Sequence, residues 1–186
     1  MIYSWKKIVR TSLPLLTIAV LIEISAGQIL QGNQQSLVVF PIVLISIPVV
    51  NSVSGNIGSI LGARLASGLH IGSIDYTMKD KNMQQNFLTA LLLGLISYSI
   101  LAILIYLIAL LGNVPMNVGP LEFVSVVIGT GILLVFMISV ISVFTAFWSF
   151  KKGLDPDDMV APVVTTVGDT LGIILLFVLI GAVGIW

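Results

Sequence analysis

Five runs of the chain, roughly 11–31, 37–53, 86–111, 121–149 and 160–185, are apolar and long enough to cross a bilayer as helices. A crossing helix needs about 20 such residues. Five crossings leave little chain for anything else. Only 9% of the 186 residues are charged and 58% are apolar, whereas a soluble domain carries about a quarter charged residues. The chain therefore reads as an all-α, polytopic membrane protein with five transmembrane helices. Lys6, Lys7 and Arg10 precede the first run, as in a signal peptide. That run is long, holds an ionisable residue and precedes further spans, so an uncleaved first helix is the better reading.

Residues 54–69 lack loop composition and are expected to prolong the second helix past Pro48, bent or broken there. Irregular backbone at membrane depth survives only against protein or a wet cavity. The polar stretch 70–85 is expected to form a short interfacial helix. The connections 31–36 and 112–120 and the C-terminus hold no lysine or arginine; all eight basic residues fall in the other segments. That split places the N-terminus in the cytoplasm and the C-terminus outside, in a multi-pass protein of the cell membrane. Trp5, Trp148 and Trp186 fall near predicted span ends, as interfacial tryptophans do. Zero net charge offers no footprint for nucleic acid. Without cysteine there is no thiolate chemistry, and one histidine, His70, cannot build a multi-histidine metal site. His70 also lacks a partnered nucleophile, which argues against an intramembrane enzyme.

Carboxylates inside spans cost about 2.5–3.5 kcal/mol on insertion scales and mark functional positions. Asp169 lies within the fifth run, with Thr165 and Thr166 four and three residues before it and on its face. Gly168 and Gly172 beside it permit close helix approach. A carboxylate among hydroxyls and exposed backbone suits a hard, oxygen-seeking cation; a hydrogen bond to a neighbouring helix is the plainer alternative. Glu23, midway along the first run, either faces the same path or pairs structurally. Asn56 offers an amide oxygen at depth, or interhelical glue. Gly58, Gly62 and Ala66 form one small-residue ridge; Gly55, Ser59, Ala63 and Ser67 form another. Ser139, Ser142, Thr145 and Ser149 form a hydroxyl face best read as packing. Asp155, Asp157 and Asp158 precede the fifth run, where they can gather cations at a mouth or cap a helix.

Two blocks carry a family resemblance. One is PVVNSVSGNIGSILGARLASGLHIGSID at 48–75; the other is LDPDDMVAPVVTTVGDTLG at 154–172. Together they resemble the MgtE-type divalent-cation transporters, particularly the solute carrier family 41 branch. The resemblance implies that Asp169 is the pore aspartate for a hydrated magnesium ion, with Asn56 of the GN motif near it. It implies that Thr165 and Thr166 line the same site, that Asp155 and Asp157 form an acidic cytoplasmic turn, and that Glu23 corresponds to an acid on the first helix of some members. There are departures. Ser59 and Ile60 stand where bacterial members carry glutamine. One copy of the unit is present where solute carrier family 41 members have two. About ten residues precede the first span, so 1–186 is expected to be one transmembrane cation-transport domain without a CBS-type regulatory region.

One such unit is small for a pore, and one carboxylate poorly balances a divalent ion. The expectation is therefore a parallel homodimer in the lipid bilayer, its paired Asp169 side chains holding hydrated Mg²⁺ as the transported ion. Two alternatives stay open: a proton- or sodium-coupled exchanger, and an accessory subunit that transports nothing.

Overall fold

The computed structural model describes residues 5–184, which fold into six helices. They are α1 (Trp5–Gly32), α2 (Gln34–Val39), α3 (Pro41–His70), α4 (Lys81–Leu111), α5 (Pro120–Lys151) and α6 (Pro156–Val183). All except the six-residue α2 are long and apolar enough to span a membrane. The five expected crossings are therefore present in a multi-pass membrane protein. Trp186 lies outside the described residues. Trp148 is 45% exposed near the end of α5, as suits an interfacial ring.

The ends of the helices follow local chemistry. Proline opens α3, α5 and α6, where its missing N–H costs nothing. Asp80 caps α4 by accepting from the Met83 amide at 2.8 Å. Gly184, with φ at +75°, closes α6 in the left-handed conformation that glycine adopts without strain. Two expectations are corrected. α3 stays helical through Pro48, so the chain is not broken there; the break falls at Phe40 instead. Pro48 deprives the Leu44 carbonyl of its usual donor, a loss that membrane helices absorb. Residues 71–80 form turns rather than an interfacial helix, and α4 begins directly at Lys81. Ile74 in that segment folds back onto Gly68 of α3, where no Cβ stands in its way.

Helices α3, α5 and α6 pack mutually at the centre; α4 covers α3 and α5, and α1 lies along α6. The hydroxyl face of α5 turns inward. Ser139, Ser142, Thr145 and Ser149 are all buried, and Ser142 donates to the Gly58 carbonyl of α3 at 2.9 Å. That face is interhelical packing, as expected. A second junction was not anticipated. Tyr98 of α4 is wholly buried, its ring lies on Gly131 of α5, and its hydroxyl donates to the Val50 carbonyl of α3. A Cβ on Gly131 would run into the ring. Overpacking of this kind costs about 1–3 kcal/mol. Gly131→Ala is thus expected to lower the unfolding temperature in detergent, and Tyr98→Leu in the same chain should recover part of it.

Candidate cation site

Helices α3 and α6 cross antiparallel along a seam where glycines of each helix receive side chains of the other. Gly55 rests on Thr165, Gly58 on Val164 and Gly62 on Val160; from α6, Gly168 rests on Ser54 and Gly172 on Asn51. A Cβ at Gly55 would lie only 3.5 Å from the Thr165 Cα. The glycines at four-residue spacing thus do what their spacing suggests: they bring backbones together. Gly58, Gly62 and Ala66 are all buried, whereas Ala63 and Ser67 of the other ridge are exposed.

The two sides of this seam differ. On one side, Ile138 of α5 lies against both Gly58 and Gly168 and fills the space. On the other, Ser52, Asn56 and Thr165 are exposed and Asp169 is half-buried. Across α6 from α3 stands α1, where the Thr166 hydroxyl donates to Glu23 Oε1 at 3.4 Å. Thr166 lies three residues before Asp169, so Glu23 reaches α6 within a turn of that carboxylate. The result is an open trough at mid-height, floored by α6 and walled by α1 and α3. Its polar lining is oxygen-rich: carboxylates, hydroxyls and one amide.

Each site residue expected from sequence has a definite position. Asp169 stands near the middle of α6. Thr165, one turn before it, spends its hydroxyl proton on the Ala161 and Pro162 carbonyls at 2.9 and 3.1 Å. Its oxygen lone pairs remain as acceptors toward the trough. Asn56 lies on the α3 wall. Thr166 is buried and serves Glu23 rather than the open space. Glu23 is exposed on α1. Asp155 and Asp157 are not part of this cluster. Asp155 caps α6 by accepting from the Asp157 amide at 3.1 Å, and Asp157 sits in the first turn, where the helix dipole favours it. At 1.5 Å per residue, Asp157 is about 18 Å along the axis from Asp169. His70 is remote too: its Nδ1 meets the Ala66 carbonyl at 2.8 Å and its ring packs edge-on against Phe150.

Asn51 was missed. It is 7% exposed, and its Nδ2 donates to the backbone carbonyl of Asp169 at 3.0 Å. No donor among the described residues reaches its Oδ1, which lies over Gly172. The amide therefore ties α3 to the residue that carries the carboxylate. An asparagine three residues past Pro48, inside an apolar run, was the available signal.

Among the described residues, no three His, Cys, Asp or Glu side chains converge as a metal-binding group. Five helices long and apolar enough to cross a membrane, two of them carrying a carboxylate near mid-length, define a polytopic membrane protein. Residues 47–179, more than two thirds of the chain, match the MgtE family model, described as a divalent cation transporter, and the chain belongs to that family. The matched span contains both sequence blocks discussed above. The chain is also 28% identical over 148 residues to solute carrier family 41 member 2 of Gallus gallus. That alignment takes in 73% of this chain and 26% of the relative, so the chain spans about a quarter of the relative's length.

Proposed function

We propose that two copies of this chain, inserted the same way up, close their troughs against each other and carry Mg²⁺ between them. The observation that carries this reading is the uncovered edge of the α3–α6 seam. Ser52, Asn56 and Thr165 are exposed there in a single copy, beside the half-buried Asp169. Carboxylates and amides at that depth do not face lipid tails; they face protein or water. A two-fold axis through the trough supplies both and sets two Asp169 side chains toward one another. The eight basic residues, all in the segments assigned to one side, favour parallel copies with the N-terminus in the cytoplasm.

The ligand chemistry favours a hard cation. No cysteine thiolate exists in the chain, and the single imidazole is engaged elsewhere. Mg²⁺ prefers oxygen and releases its waters reluctantly. Asp169 would attract the hydrated ion, with Asn56 and Thr165 accepting hydrogen bonds from its water shell. Glu23, bonded to Thr166 one turn before Asp169, favours a second reading, in which a proton or sodium ion exchanges for the metal at the paired carboxylates.

Two measurements test the proposal together. Purified wild-type protein in liposomes should admit Mg²⁺ to an enclosed indicator dye, and a dependence on proton or sodium gradients would select the exchanger. Because the chain is cysteine-free, Ser52→Cys should form disulfide-linked dimers under mild oxidation, whereas Ile96→Cys on the outer face of α4 should not. Absence of flux from the wild type would favour the accessory-subunit alternative. Cross-linking at position 96 but not at 52 would remove the proposed dimer.

A further inference from the structure

One buried polar side chain takes no part in the trough. Tyr98 stands near the middle of α4, a helix that turns Leu92, Leu95, Ile96 and Ile103 outward. Among the described residues it is the largest side chain that is wholly buried. Its ring passes over Gly131 of α5, and its hydroxyl donates to the Val50 carbonyl of α3. The tie therefore runs from an outer helix, across the face of a second, to the backbone of a third.

The point of attachment matters. Val50 lies two residues past Pro48, whose missing N–H leaves α3 one backbone bond short in the turn above. Side-chain bonds gather in the turn that follows. Tyr98 holds the Val50 carbonyl, Asn51 Nδ2 holds the Asp169 carbonyl at 3.0 Å, and Ser54 Oγ holds the Asn51 carbonyl at 2.8 Å. Val50 and Asn51 are adjacent, so one short piece of α3 is tied toward α4 and toward α6 at once. Packing does not require the hydroxyl, because phenylalanine would fill the same space. Burying a hydroxyl carries a cost that its bond largely offsets, and interhelical hydrogen bonds in membranes add little net stability. What the bond does supply is direction. The phenol meets the Val50 carbonyl at one rotation of α3, and that rotation sets Asn51 against the Asp169 backbone.

We infer that Tyr98 is a positioning residue for Asp169, fixing through Val50 and Asn51 the rotation of α3 at which Asn51 holds the Asp169 carbonyl. The inference rests on the reading of Asp169 as the carboxylate that meets Mg²⁺. Because Tyr98 acts through one hydrogen bond, its influence is bounded by the worth of that bond, about three- to tenfold in Mg²⁺ affinity.

Calorimetry of Mg²⁺ binding by the full chain in detergent tests this with the wild type, Tyr98→Phe, Asn51→Ala and the two changes combined. Tyr98→Phe keeps the ring on Gly131 and should weaken Mg²⁺ binding about three- to tenfold. In the Asn51→Ala background the same change should weaken it less than about twofold, because the tie to Asp169 is already cut. A hydroxyl that only stabilised the fold would lower the melting temperature equally in both backgrounds and leave the affinity alone. Gly131→Ala, which displaces the ring, takes the place of Tyr98→Phe in the comparison if that variant does not fold. Unchanged affinity in the folded single variant, or an equal loss in both backgrounds, overturns the inference and leaves Asp169 in its role. Undiminished binding by Asp169→Ala overturns both.

Discussion

Asp169→Ala is expected to bring Mg²⁺ entry into liposomes to the background of empty vesicles, with the protein still folded and still dimeric. The carboxylate is half-buried at mid-depth, and no helix-end or capping role depends on it. Removing it takes away the charge that compensates the ion and relieves the cost of a carboxylate in an apolar layer. The loss of one charged hydrogen-bonding partner is worth about 1.5–3 kcal/mol. Two copies lose two, so a fall in flux of at least about a hundredfold follows. Asp169→Asn separates charge from shape and should fall nearly as far. Asp169→Glu keeps the charge on a longer arm and should retain part of the flux. Wild-type rates in the folded alanine variant would falsify the proposed path.

The second large effect concerns the seam that sets the carboxylate in place. A Cβ added at Gly172 runs into the side-chain oxygen of Asn51, with Leu134 of α5 close behind at 3.2 Å. Neither neighbour can yield easily, since Leu134 is wholly buried and Asn51 is held by the Asp169 carbonyl. Gly172→Ala is therefore expected to push α3 from α6 at the level of Asp169. The expected cost is about 1–3 kcal/mol of stability, seen as a lower melting temperature, together with most of the Mg²⁺ flux. Asn51→Ala added to Gly172→Ala makes room for the methyl group. That pair should recover the melting temperature but not the flux, because the tie to the Asp169 backbone is gone. Full activity in the single Gly172→Ala variant would sink the idea that this contact positions the site.

Much of the architecture was legible because lipid enforces strict rules. Length and apolarity alone marked the five crossings, and the cost of a carboxylate in hydrocarbon marked Asp169 and Glu23. The glycine spacing announced close packing. The partners across the seam were not legible. Whether Asn51 or Asn56 turns toward α6 depends on how two antiparallel helices are rotated and shifted, and no local pattern fixes that. The two threonines illustrate the same limit: Thr165 opens onto the trough and Thr166 closes on α1, although they are adjacent in sequence. Pro48 does not break α3, because an interior proline breaks helices in water more readily than in a membrane. Asp155, expected at a cation-gathering mouth or as a cap, does cap α6, a use legible because it needs only local geometry.

The close crossing of α3 and α6 also limits how this molecule can move. Gly58 and Gly62 admit Val164 and Val160 of α6 so closely that a slide of half a turn would drive these side chains into neighbouring side chains. That interlocking opposes small sliding of one helix along the other. Transport, if it requires the passage to be open alternately toward the two membrane faces, then has to draw its mobility from α1, which leans chiefly on α6, or from rocking of one protomer on its twin.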